Sequence, residues 1–163
     1  MLQDQVAQLF LEARDGVYRY LLSLGLNPAR AQEETQEVFL RLYVELKKGG
    51  EIQNPRAWVF RVAHNQGLKV RSREREQVSI DPSLEMRLAS PVSGPEQTML
   101  DRERAALFHS GVEKLSEQQR RCLFLRLQGL KYPEIGSVLG ISPSAVGEFM
   151  RRAIAHLRKA ANV

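Results

Sequence analysis

The chain is poor in the residues that catalytic, secreted and membrane proteins depend on. Its 163 residues hold a single cysteine, so no internal disulfide can form and a reducing compartment suits it. That residue, Cys122, lies in an apolar helical stretch and reads as a buried, inert thiol. The three histidines, His64, His109 and His156, fall in separate segments with no cysteine or carboxylate at metal-ligand spacing. No apolar run approaches the ~20 residues needed to cross a bilayer, which argues against membrane insertion. Met1-Leu2-Gln3-Asp4-Gln5 has no basic stretch leading into an apolar core, so no secretory signal is read there. There is no Gly-x-Ser-x-Gly, no phosphate-cradling glycine loop and no dinucleotide fingerprint. The expectation is a cytoplasmic protein that is not an enzyme and needs no cofactor or metal.

What is present is a soluble, charged, helical chain. Hydrophobic residues make up 43% and charged residues 26%, a balance that supports packed cores. The net charge of +5 is unevenly spread. Residues 1–76 hold 12 basic and 10 acidic groups, residues 77–115 hold 4 and 6, and residues 116–163 hold 8 and 3. The carboxy-terminal part is the most basic, as phosphate binding requires.

Apolar residues at Val6, Leu9, Phe10, Ala13, Val17, Leu21 and Leu24 have helical spacing. Gly25 and Asn27-Pro28 break that run, and a second helix to about Leu46 carries Ala31, Thr35, Val38, Phe39, Leu42 and Leu46 inward. Lys47-Lys48-Gly49-Gly50 closes it with basic residues and glycines suited to a helix C-terminus. A third helix begins after Asn54-Pro55 and runs to about Arg75, so three helices enclose a small core with Trp58 and Phe39 as its large members. Between Val78 and Pro95 three prolines and weak periodicity mark a linker. Helical spacing resumes at Met99, Leu100, Ala106, Leu107 and Val112. After a cap at Ser116, a further helix is expected to bury Cys122, Leu123 and Leu127 before Gly129 ends it. The fold class is all-α, with two small helical domains, residues 1–76 and 98–163, joined by a linker at 77–97.

Two segments carry chemistry. In the first, Ile135, Gly136, Leu139, Ile141 and Val146 face inward around Gly140, and Ser142-Pro143 supplies an N-cap and a first helical residue. A short helix, a glycine turn and a capped second helix form a helix-turn-helix able to enter a major groove. Val146, Met150, Ala153 and Leu157 make the buried stripe of its last helix. Ser144, Gly147 and Glu148 are the candidate base readers, and Arg151 and Arg152 the phosphate anchors. The second segment is the third helix, where Pro55 to Arg75 holds six Lys or Arg against one acid, Glu74. Projected at ~100° per residue, Val59, Val62, Ala63, Gln66 and Val70 share one side, and Arg56, Arg61, His64, Arg71 and Arg75 the other. A single-signed face of this kind points to a polyanion.

Together these residues resemble a bacterial RNA polymerase sigma factor of the extracytoplasmic-function type, in the sigma-70 family. Gln36-Glu37-Val38-Phe39-Leu40-Arg41-Leu42-Tyr43 is similar to the family's core-binding helix. Asn54-Pro55-Arg56-Ala57-Trp58-Val59-Phe60-Arg61-Val62-Ala63-His64-Asn65 is similar to the helix that melts and reads the minus-ten element. Leu115 through Arg158 is similar to region 4, which reads the minus-thirty-five element. The resemblance implies that Gln36, Glu37, Leu40 and Tyr43 lie against the polymerase, and that a loop including Lys47, Lys48 and Gln53 captures a flipped base. It implies that Arg56, Trp58, Arg61, His64, Asn65, Lys69 and Arg71 hold the melted strand, and that Ser142, Ser144, Gly147, Glu148, Arg151 and Arg152 meet upstream duplex. Its partners would be core RNA polymerase and promoter DNA, with an anti-sigma factor as a third. The chain departs from the family pattern at Glu34, Lys69, Gly147 and Phe149. The competing expectation is a free-standing helix-turn-helix regulator whose N-terminal domain dimerises or senses a ligand. A third is a helical interaction protein whose helix-turn-helix is inert.

Overall fold

The structure is a computed structural model that describes residues 1–74 and 98–161. All regular structure among the described residues is helical, in seven elements. The chain divides into two compact units, one containing residues 1–74 and the other 98–161. The expected linker at 77–97, and Arg75 with it, lies outside the described residues.

The first unit packs α1 (Leu2–Ser23), α2 (Pro28–Lys47) and α3 (Pro55–Glu74) against one another. The breaks fall where local chemistry puts them. Asn27 Oδ1 accepts the Arg30 amide at 2.8 Å and Pro28 opens α2; Asn54 Oδ1 accepts the Ala57 amide at 3.1 Å ahead of α3. Each cap satisfies one amide that the first turn leaves without a helical partner. The core is Ala13, Val17, Tyr20 and Leu21 from α1, Ala31, Val38, Phe39 and Leu42 from α2, and Val59, Phe60, Ala63 and Val70 from α3. Burying each large member contributes about 1.5–3 kcal/mol. Phe10 meets Phe39 edge-on at 5.1 Å, and Tyr20 meets Phe60 the same way at 6.0 Å. Trp58 is not a core residue, contrary to expectation: it is half-buried, and Tyr20 and Phe60 take the central places.

The second unit comprises α4 (Met99–Glu113), α5 (Glu117–Leu127), α6 (Tyr132–Leu139) and α7 (Pro143–Ala161), with the first three all packed on α7. Ser116 and Gln119 form a reciprocal capping box at the start of α5, the cap the sequence indicates. Cys122 is buried as expected, but its partner in the core is Leu125 rather than Leu123 or Leu127. Leu127 is 68% exposed because the chain turns at Gly129 and folds Leu130 inward, its amide donating to the Leu125 carbonyl at 3.2 Å. Burial pushes the Cys122 thiol up to about 11. Met99, Leu100, Ala106 and Leu107 are exposed, so α4 contributes only Gly111 and Val112 to the core. No helix among the described residues is long and apolar enough to cross a membrane.

Candidate nucleic-acid interface

In the first unit the cationic surface is built on α3, but not on the face the projection selects. Phe60, His64, Gly67 and Arg71 are buried together with Val59, Ala63 and Val70, while Val62 and Gln66 are half-buried. The inward face is therefore rotated by roughly 70° at 100° per residue from the expected one. Two contacts set this rotation. Tyr20 Oη and His64 Nδ1 share a hydrogen bond of 2.7 Å. At Gly67, Leu21 and Leu24 of the α1 side come so close that a Cβ would meet Leu24 Cδ1 at 2.7 Å. His64 and Arg71, expected to face a nucleic acid, are corrected to core positions at 6% and 9% exposure. The Arg71 stem runs across Gly25, its Cδ 3.7 Å from where a Cβ would stand.

The exposed side of α3 carries Arg61, Asn65 and Lys69, four residues apart in a single line. That line is about 12 Å long. Arg73, absent from the expected set, is exposed at its far end. Arg56 is half-buried, and its Nη2 donates to Glu12 Oε2 at 3.4 Å, which ties it to α1. Lys47, Lys48 and Gln53 are all exposed around the α2–α3 loop, with Lys47 Nζ 5.9 Å from the Tyr43 ring centre. On α2, Gln36, Glu37 and Leu40 are exposed and Tyr43 half-buried, so the four share an outward face. Glu37 pairs with Arg41 at 3.3 Å, and Tyr43 Oη accepts from Gln3 Nε2 at 3.5 Å. Leu40, Val44, Trp58 and Val62 line a groove between α2 and α3, with Glu37 and Lys48 on its rim.

In the second unit α6 ends at Gly140, whose φ of +71° is a left-handed conformation that costs an L side chain about 1–2 kcal/mol. The Ile141 amide donates to the Gly136 carbonyl at 3.0 Å, and Ser142 Oγ accepts the Ala145 amide at 3.1 Å to start α7 behind Pro143. Val146, Met150 and Ala153 are buried, so Ser144, Arg151 and Arg152 lie exposed on the opposite side with Glu148 half-exposed among them. Glu148 is not a bare carboxylate. Its Oε2 accepts from Arg151 Nε at 3.1 Å, and its Oε1 from Arg151 Nη2 at 2.6 Å and Arg152 Nε at 2.9 Å. The hydrogen bonds from Arg151 and Arg152 hold its carboxyl down to about 2. Gly147 is not an open position either: the Tyr132 ring lies 3.7 Å from where its Cβ would be. Tyr132, 37% exposed, is a surface residue of this helix pair that pattern reading missed, since its position opens α6 rather than α7.

Comparison with known proteins matches both units. The family described as Sigma-70 region 2 matches residues 9–76, and that described as Sigma-70, region 4 matches residues 104–157. The chain is 29% identical over 155 residues to the ECF RNA polymerase sigma factor SigE of Mycolicibacterium smegmatis, covering 93% of this chain and 59% of that protein. It is 29% identical over 162 residues to the ECF RNA polymerase sigma factor BldN of Streptomyces coelicolor, covering 96% and 60%. The chain thus spans about three-fifths of the length of these two relatives. Its fold is similar to that of the sigma factor RpoE of Bartonella quintana, solved in complex with the anti-sigma factor NepR. The TM-score is 0.68 at 20% identity, with 96% of each chain covered.

Proposed function

Because the chain belongs to the sigma-70 family, among its extracytoplasmic-function members, we propose that it binds core RNA polymerase and directs transcription initiation at a particular set of promoters. The observation that carries this reading is the line of Arg61, Asn65 and Lys69 on α3, within a unit matched to region 2. A domain that only dimerised or sensed a ligand has no use for such a line. In this reading α3 holds the melted minus-ten strand through Arg61, Asn65, Lys69 and Arg73, with Arg56 and Trp58 at its start. Lys47, Lys48 and Gln53 border the loop that captures a flipped base. Gln36, Glu37, Leu40 and Tyr43 form the polymerase-facing side of α2, where exposed Leu40 supplies apolar area amid polar neighbours.

In the same reading α7 of the second unit lies against the minus-thirty-five duplex, with Ser142, Ser144, Gly147, Glu148, Arg151 and Arg152 on or beside the reading face. Residues 77–97 serve as the tether, so each weakly binding unit meets its DNA at high effective concentration once the other is engaged. The protein acts in the cytoplasm, performs no catalytic step of its own, and is open to control by an anti-sigma factor that covers these surfaces. The test is capture of core polymerase by the purified chain, followed by run-off transcription from promoters mapped after overexpression. The reading requires stable capture and chain-dependent transcripts. Dimeric binding to duplex DNA without any affinity for core polymerase would sink it.

A further inference from the structure

On the exposed face of α7, Glu148, Arg151 and Arg152 form one bonded cluster, and its geometry separates the roles of the three residues. Arg151 binds the carboxylate side-on, through Nε and Nη2, to both of its oxygens. A guanidinium has five N–H donors in a planar fork. The side-on bond consumes one from Nε and one from Nη2, which leaves one from Nη1 and one from Nη2 along the outer edge and a second Nη1 hydrogen pointing back toward the stem. That edge matches the N7 and O6 acceptors that guanine shows in the major groove. Arg152 is anchored only through Nε, which leaves both of its Nη groups for phosphate.

The acid sits underneath this arrangement. Its side chain is 45% exposed against 68% for Arg151 and 58% for Arg152, and it is shorter than either. Both of its oxygens already accept from guanidinium groups, three bonds in all. Its carboxyl, held at about 2, stays ionised at any pH where DNA is duplex. The cluster carries one net positive charge where two bare arginines would carry two, so general attraction to phosphate is lowered while the outer edge of Arg151 is fixed.

We propose that Glu148 is a positioning residue: it holds Arg151 so that the outer edge of the guanidinium reads a guanine in the upstream duplex, and it reads no base itself. This rests on the proposed placement of α7 against minus-thirty-five DNA, and the test is arranged to fail separately from it. The full chain with core polymerase is used to select from promoter fragments randomised across the upstream segment. Wild type is expected to enrich guanine at one position, and 7-deazaguanine there, which lacks the N7 acceptor, to weaken binding roughly ten-fold.

Glu148→Ala is expected to reduce that guanine preference to about two-fold or less while raising affinity for unrelated fragments and steepening the salt dependence. Arg151→Lys, which keeps the charge but not the fork, is expected to lose the same preference, and the double substitution to lose no more than either alone. Retention of the guanine preference in Glu148→Ala would overturn the proposal. So would binding that withstands 7-deazaguanine but is lost when the paired cytosine carries an N4-methyl group, since the carboxylate would then be the reader. Enrichment of no upstream base by a chain that still captures core polymerase also overturns it. Failure to capture core polymerase at all overturns the sigma-factor reading instead.

Discussion

Tyr20 Oη and His64 Nδ1 lie 2.7 Å apart inside the first unit and join α1 to α3 by a hydrogen bond within a mainly apolar core. The bond is directional and fixes one angle of α3 about its own axis, beside the close approach of Leu24 to Gly67. With His64 turned inward, Arg61, Asn65 and Lys69 are turned outward, so a core contact sets the aim of a surface line.

Tyr20→Phe keeps the ring against Phe60 and removes only the hydroxyl. A loss of about 1–3 kcal/mol is expected for leaving a buried polar atom short of its partner, read by urea unfolding. The close approach of Leu21 and Leu24 to Gly67 still holds α3 in its rotation, so the salt slope of DNA binding by the folded fraction should not change. A change in slope with full stability would mean that His64 meets DNA after all.

Arg61→Ala and Lys69→Ala should act in the opposite sense. Both residues are exposed, so stability should hold within about 0.5 kcal/mol. Each should lower the slope of log affinity against log salt by about 0.7 on single-stranded minus-ten DNA. Arg71→Ala should leave that slope intact and lower stability, because its stem covers Gly25 and the core beneath.

Gly136→Ala should destabilise the second unit by about 1–3 kcal/mol, since the added methyl would stand 2.5 Å from the Ile141 carbonyl oxygen. Thermal unfolding measures it. Gly140→Ala should cost about 1–2 kcal/mol through its left-handed backbone alone. If both variants melt with the wild type, the tight helix-turn-helix geometry is wrong.

Cys122 gives a pH dependence of known sign. Its thiol is raised from the usual 9.0 to about 11 in the folded chain, so the unfolded chain loses its proton first. The contribution of that thiol to stability is full below pH 9 and falls as pH rises from 9 to 11. The stability difference between wild type and Cys122→Ala should therefore shrink across that window and stay flat below it. At neutral pH the folded thiol should resist alkylation.

Features written in neighbouring residues were legible in the sequence. Asn27-Pro28, Ser116, Gly140 and Ser142-Pro143 mark helix starts and a turn by their own backbone chemistry, and each stands where expected. The face of α3 was not legible, because its buried side holds His64 and Arg71 while Val62 stays partly outside. Periodicity assumes that inward means apolar, and here a partner on α1 decides. Trp58 misleads in the same way: its size suggests a core, yet it closes one wall of the groove beside Leu40 and Val44. Leu127 lost its place to Leu130 through a turn bond that lies beyond the helix. The bonding of Glu148 to Arg151 and Arg152 follows the ordinary three- and four-residue spacing and could have been read from the sequence.

The meeting of Gly136 with the Ile141 carbonyl has a consequence for how the second unit can vary. There the angle between α6 and α7 is set by main chain touching main chain, with no side chain as spacer. Aliphatic residues around that hinge, such as Ile135, Val138 and Val146, can exchange size among themselves and alter how firmly the unit holds together. They cannot re-aim α7. Durability and aim are thus separable properties of this unit, and a library of core variants should scatter widely in melting temperature while preferring one and the same DNA sequence.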